Sequence, residues 1–195
     1  MNELTIDELH QLRLRIFDNA ESLYKEALLL LENGYYARAY LLAYFSCEEL
    51  GKIPIVVGVI GRHLKSEAVD WNKTMKRFRN HKAKVESDDF HQYVFGIELD
   101  LLHDSDLKWL EEAKSVSADR VNRKNNSTYV DVVGRKRASP LMEITKEHAK
   151  EMVERAFSSL RAHWHAECLT NSIVKMANPA VQGTLRDKAA QRPCP

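Results

Sequence analysis

Apolar residues early in the chain recur three and four positions apart: Leu9, Leu12, Ile16, Ala20, Leu23, Ala27 and Leu30. That spacing places them on one face of a helix. Thr5 and Glu8 have the form of a capping box at its start, and Gly34 is placed to end it by taking positive φ. A second helix is predicted from about Tyr36 towards His63. Ala37, Leu41, Tyr44, Ile55 and Val56 share one side, and Leu42, Phe45 and Ile53 fill much of the rest. A helix apolar nearly all round belongs at the centre of a bundle. Pro54 removes one backbone hydrogen bond and predicts a kink or short break near Lys52.

Downstream patterns are shorter. Asp70 is placed to cap a helix through WNKTMKRFRNHKAK, and two more helices fit DDFHQYVFGIELDLLH and DSDLKWLEEAKSVSADRVNR. STYVDVVGRKRASP then has β-branched and aromatic residues before a Gly and a Pro, which predicts extended chain and a small hairpin near 128–139. A last long helix follows Thr145, with Ala149, Met152, Val153, Ala156, Phe157, Leu160 and Trp164 on one stripe. From about Asn178 the chain has Pro179, Gly183, Pro193 and Pro195 without a period, as a frayed tail does. The expected architecture is all-α, an antiparallel helical bundle forming one domain over 1–177, with a disordered tail at 178–195.

Composition narrows the function classes. The 195 residues are enough for one real core, and the charge is nearly balanced, 29 basic against 28 acidic side chains. No global field therefore draws the chain to nucleic acid or membrane, and a polyanion site has to be a local basic patch. The longest apolar run, IPIVVGVIG, is about half of the ~20 residues a membrane-spanning helix needs, so no membrane association is expected. The start, MNELTIDELHQL, is unlike a signal peptide, and Cys47, Cys168 and Cys194 form no pattern, which together predict a cytoplasmic protein. GVIGR has neither the spacing nor the Lys of a phosphate-binding loop. His163 and His165 lie two apart on a helix and point about 200° apart, so they cannot share a metal. His10, His63, His91, His103 and His148 are scattered, as surface or capping residues are, and Cys47 reads as a small core residue.

One stretch breaks the apolar pattern. In YFSCEELGKIPIVVGVI, Glu48 falls inside the main apolar stripe, four residues after Tyr44, and Glu49 lies on the adjoining face. A bare buried carboxylate costs several kcal/mol, so each acid needs a partner. Lys52 is within reach of both along the helix. One lysine is not enough for two buried acids, which points to a second element. His81 and Lys84, three apart and so on one face, are the best donors, with Arg79 behind them.

YYARAYLLAYFSCEELGKIPI, then FRNHKAK, then YVD before GRKRASP, resemble the AbiV family of bacterial abortive-infection proteins. That family is assigned to the HEPN group of small helical bundles, many of them ribonucleases or partners of nucleotidyltransferases. The resemblance covers about residues 15 to 165 and implies a HEPN-like fold and a role in phage defence. The family's EExxK element falls on Glu48, Glu49 and Lys52, its HxxK element on His81 and Lys84, and its YVD element on Tyr129, Val130 and Asp131. Ribonuclease members of the wider group use an Arg with a catalytic His four to six residues later. Here RVNRKNNSTYVD supplies Arg120 and Arg123, but Tyr129 stands about where that His would be. HEPN-like proteins often pair through their bundles, so the resemblance also implies a homodimer.

Three readings of the cluster stay open at this point. Glu48, Glu49, Lys52, His81 and Lys84 can be a buried network that fixes the bundle's register. They can instead belong to an endoribonuclease in which His81 is base or acid and Lys52, Lys84 or Arg123 stabilises the developing charge, completed by Tyr129 and Asp131. Or the bundle binds RNA, or a phage or host protein, without cutting, using KRFRNHKAK, RVNRKNN and GRKR as a positive surface. No cofactor is expected. A divalent metal at Glu48 and Glu49 is disfavoured, because Lys52 takes the place where a Glu-x-x-His ligand pair has its His.

Overall fold

The structure, a computed structural model, describes residues 3–95, 119–133 and 136–169. The expected helices through 96–118 and the tail at 178–195 lie outside the described residues, as does the domain boundary near 177. The described chain forms helices α1 (Ile6–Glu32), α2 (Tyr36–Leu50), α3 (Ile53–Leu64), α4 (Trp71–Arg79) and α5 (His81–Phe95). A helical stretch at 119–126, here α6, leads into strands β1 (Asp131–Val133) and β2 (Lys136–Ala138), a short α7 (Pro140–Glu143) and the long α8 (Lys146–Leu169). It is an all-α bundle with one small hairpin, as the periodicity predicts. The hairpin is antiparallel, pairing Asp131 with Ala138 and Val133 with Lys136.

Local chemistry explains the boundaries. Thr5 and Glu8 form the reciprocal capping box that starts α1. At the other end Gly34 takes φ +80, so Tyr35 N–H reaches the Leu30 carbonyl at 2.9 Å and Gly34 N–H the Leu31 carbonyl at 3.1 Å. This closure turns the chain sharply into α2, and the two helices pack along each other. The Asp70 carboxylate caps α4 through the Lys73 N–H at 2.9 Å.

α2 is the central helix, touching α1, α3, α5, α7 and α8. Its small residues Ala37, Ala39 and Ala43 let α1 and α8 approach closely, packing against Ala27, Met152, Val153 and Ala156. Ser46, fully buried among them, donates to the Ala20 carbonyl of α1 at 2.7 Å. A second core joins Leu9, Ile16, Phe17 and Ala20 of α1 to Leu50, α3 and the α8 residues Leu160 and Trp164. The predicted break near Lys52 separates α2 from α3, with Pro54 in the first turn of α3, where its missing N–H leaves no bond unmade.

One boundary differs from the sequence expectation. Instead of one helix through 71–84 and another beginning near Asp88, α4 stops at Arg79 and α5 runs unbroken from His81 to Phe95. Asn80 is the reason. Its backbone is extended at ψ 113, its N–H closes α4 on the Lys76 carbonyl, and its side-chain oxygen accepts from Ala83 N–H at 3.1 Å. A side chain that satisfies the first turn of the next helix favours two helices over one.

Candidate functional site

The site starts from a close approach of two backbones. Gly51, between α2 and α3, lies against Lys84 of α5 so tightly that a Cβ there would meet the Lys84 carbonyl carbon at 2.7 Å and its Cα at 3.2 Å. Only a residue without a side chain lets α5 cross there. The crossing delivers His81 and Lys84, one turn apart, to Glu48 in the last turn of α2. Lys84 Nζ donates to Glu48 Oε2 at 2.9 Å, and His81 Nδ1 lies 2.7 Å from Oε1 and 2.9 Å from Oε2. Glu48 and Lys84 are buried, whereas the His81 side chain is 56% exposed. Glu49 turns away and pairs with Lys52 at a partly exposed site. The two carboxylates thus take separate partners, and among the described residues no three His, Cys, Asp or Glu are placed to share a metal ion.

This geometry selects the tautomer of the neutral imidazole. An ionised carboxylate can only accept, so His81 Nδ1 must donate, and in the neutral ring Nε2 carries the lone pair. A buried anion that orients an exposed imidazole leaves one ring nitrogen for outside chemistry. Lys84 balances the Glu48 charge from below and is too buried to meet a phosphate.

The remaining sequence candidates are placed differently. Arg123 pairs with Asp119 on its own helix at 2.9 Å. Tyr129 is exposed, and no hydrogen bond links it to the Glu48 cluster. Asp131 begins β1 and pairs through its backbone with Ala138. What does tie α6 to the site is aromatic. Tyr40 donates to the Arg120 carbonyl at 3.4 Å, and Lys124 Nζ sits 5.8 Å from the centre of the Tyr44 ring. Burial, reinforced by the charge of Glu48, raises the Tyr44 phenol, and burial pushes Tyr40 up to about 12, so both stay neutral.

A second polar centre lies further along α5 and escaped the sequence reading. Asp89 binds Arg120 of α6 at 3.1 Å and Arg155 of α8; Asp88 accepts from Ser159 and lies 3.6 Å from Arg155 and 3.9 Å from His163. His163 stacks on His91 with ring centres 3.7 Å apart and planes at 9°. His10 and His91 are therefore buried rather than surface or capping residues. One signal was available. Asp88 and His91 follow Lys84 by four and seven residues, so a buried Lys84 puts both on the inward face of α5. Arg155, the partner of Asp88 and Asp89, comes from a helix far along the chain, 66 residues from Asp89, which spacing cannot show.

Burial pushes Asp88 up to about 6, Arg155 opposing it, and lowers His91 to about 4; burial also holds His163 well below its ordinary range. The signs oppose. Neutral buried histidines refuse protons that the unfolded chain accepts, so their stabilisation is lost as pH falls from 6.5 towards 4. Asp88 is protonated earlier in the native state than in the unfolded one, so its effect favours the fold as pH falls through 6. Two histidines outweigh one acid. The melting temperature is expected to fall between pH about 7 and about 5, and His91→Phe, which keeps the stack, should reduce that fall; equal slopes in both proteins would refute this.

With this geometry in view, comparison with known families matches the chain to the AbiV family over residues 8–161. The chain belongs to the AbiV family. Comparison with curated proteins and with solved structures gives no match. AbiV membership places the function among the abortive-infection, HEPN-type proteins. No helix of this AbiV chain, among the described residues, is long and apolar enough to cross a membrane.

Proposed function

We propose that this AbiV-family protein acts on RNA during abortive infection, as a metal-independent endoribonuclease with His81 as its acid–base group. The observation that carries the reading is the pairing of buried Glu48 with exposed His81, which orients the ring and frees Nε2. In the reaction Nε2 takes the proton of a ribose 2′-hydroxyl, O2′ bonds to the neighbouring phosphorus, and the P–O5′ bond breaks as water protonates the leaving oxygen. The products are a 2′,3′-cyclic phosphate and a 5′-hydroxyl. Lys84 and Arg123 are committed to Glu48 and Asp119, and Lys82 lies 3.7 Å from Glu86, so charge stabilisation at the phosphate falls to Arg79, the exposed cation two residues before His81.

The test is cleavage of a labelled mixed-sequence RNA with and without EDTA. Wild type should cut in both conditions, and His81→Ala, folded by circular dichroism, should be slower by about 10²–10⁴-fold. A folded wild type that leaves RNA intact, or cutting that needs metal, would remove this mechanism.

A second reading, a non-catalytic protein that binds a phage or host protein, has its own observation. Tyr129, Val130, Leu141 and Met142, around the hairpin and α7, expose 70–85% of their surface. Loss of phage resistance in Leu141→Glu with RNA cleavage unchanged would favour it.

A further inference from the structure

Residues 71–84 hold six cations, Lys73, Lys76, Arg77, Arg79, Lys82 and Lys84, and no carboxylate, in a chain whose net charge is +1. The fold sorts them. Around α4, Trp71, Thr74, Met75 and Phe78 turn inward, with Trp71 and Phe78 packed on the second core. Lys73, Lys76 and Arg77 lie on the opposite side and are exposed, and Asn80 ends the same stripe. At 1.5 Å per residue that stripe is about 10 Å long. The next residue after it is His81. None of Lys73, Lys76, Arg77 and Arg79 has an acidic partner among the described residues. By contrast, Lys25 of α1 and Lys150 of α8 are each paired to a glutamate four residues away.

We propose that Lys73, Lys76 and Arg77 form a docking track for the phosphate backbone of single-stranded RNA, leading it to His81. The inference rests on the reading of RNA as substrate and names the surface that holds it. Charge without neutralising acids draws a polyanion. The outward stripe offers no apolar side chain to enter a lipid surface, because the aromatic residues of α4 are spent on the core. It also offers no aromatic platform for a base, so binding should tolerate any sequence.

Binding is measured apart from cleavage, by fluorescence anisotropy of a labelled mixed-sequence RNA with the full chain carrying His81→Ala, across a series of salt concentrations. For single strands each phosphate contact contributes roughly 0.7 to the slope of log K against log salt. Adding Lys73→Gln, Lys76→Gln and Arg77→Gln should flatten the slope by about 2 and weaken binding roughly a hundredfold at 0.1 M salt. All three side chains point outward, so the circular dichroism spectrum should not change. A control removes the same charge elsewhere on the surface, with Arg15→Gln, Lys25→Gln and Lys150→Gln, and should bind nearly as the parent does. Four outcomes overturn the proposal: no binding by the parent, an unchanged slope in the stripe variant, an equal loss in the control, or tight binding to phosphatidylglycerol vesicles without binding to RNA. Failure of the nuclease reading looks different, since the wild type would then leave RNA intact while the stripe still governed its binding.

Discussion

Gly51→Ala is expected to cost at least about 3 kcal/mol of stability, against the direction that backbone propensity alone gives. Gly51 sits at φ −61, ψ −13, an ordinary right-handed conformation that alanine adopts freely. By conformational entropy the substitution should therefore stabilise by about 0.4–1 kcal/mol. Sterics decides otherwise. The new methyl group would fall on the backbone of Lys84, and a helix backbone cannot rotate aside as a side chain does. Either α5 moves off α2, opening the Glu48–Lys84 pair, or the α2–α3 junction distorts. Overpacking of a core costs about 1–3 kcal/mol where side chains can adjust, and more where they cannot. Gly58, in α3, is the control: a Cβ there meets nothing within 4 Å. Gly58→Ala should raise the unfolding midpoint in urea while Gly51→Ala lowers it. If both move up together, the close crossing of α5 over Gly51 is wrong.

Lys84→Met carries the second large effect. It takes the buried ammonium away from the Glu48 carboxylate, and breaking one half of a buried ion pair costs about 3–5 kcal/mol. Adding Glu48→Leu should return most of that loss, because replacing both partners by apolar residues is often neutral. The double-mutant cycle also separates structure from chemistry. If Glu48 and Lys84 serve only the bundle, the apolar double variant should be both stable and active. If Glu48 orients His81, that variant should be stable and inactive, its imidazole no longer held. A double variant as unstable as Lys84→Met alone would mean that the pair is not the source of the cost.

The residues around Glu48 show how far spacing alone reaches. A carboxylate at the fourth position after Tyr44 had to be buried, and a buried carboxylate had to have donors from another element; that much follows from helix geometry and solvation. His81 and Lys84 were reachable as those donors because two hydrogen-bond donors one turn apart present a single face. Which acid they would choose was not legible, since Glu48 and Glu49 are adjacent in sequence and differ only in which neighbour each faces. Nor was the break at Asn80. A side-chain cap competes with helix propagation by about a kilocalorie, too little to read without knowing where α5 packs. The Asp88–Asp89 centre was missed for a related reason. Acids and arginines spaced along amphipathic helices look like solvated faces until a distant helix, here α8, closes over them.

Local chemistry, then, is what could be read from the residues alone: an all-α fold, the capping box at Thr5, the turn at Gly34, the interruption before Pro54, the hairpin after Tyr129 and the burial of Glu48, whereas Glu49 and Lys52 are only partly buried. Each depends on residues within a few turns of one another, where backbone geometry leaves few choices. Tertiary structure alone decided that α5 crosses at Gly51, that Glu48 rather than Glu49 holds His81, that Arg155 and His163 bury themselves on Asp88, and that the cations of α4 stand together unneutralised. Those outcomes depend on which surfaces of remote helices meet, and on the desolvation each meeting imposes.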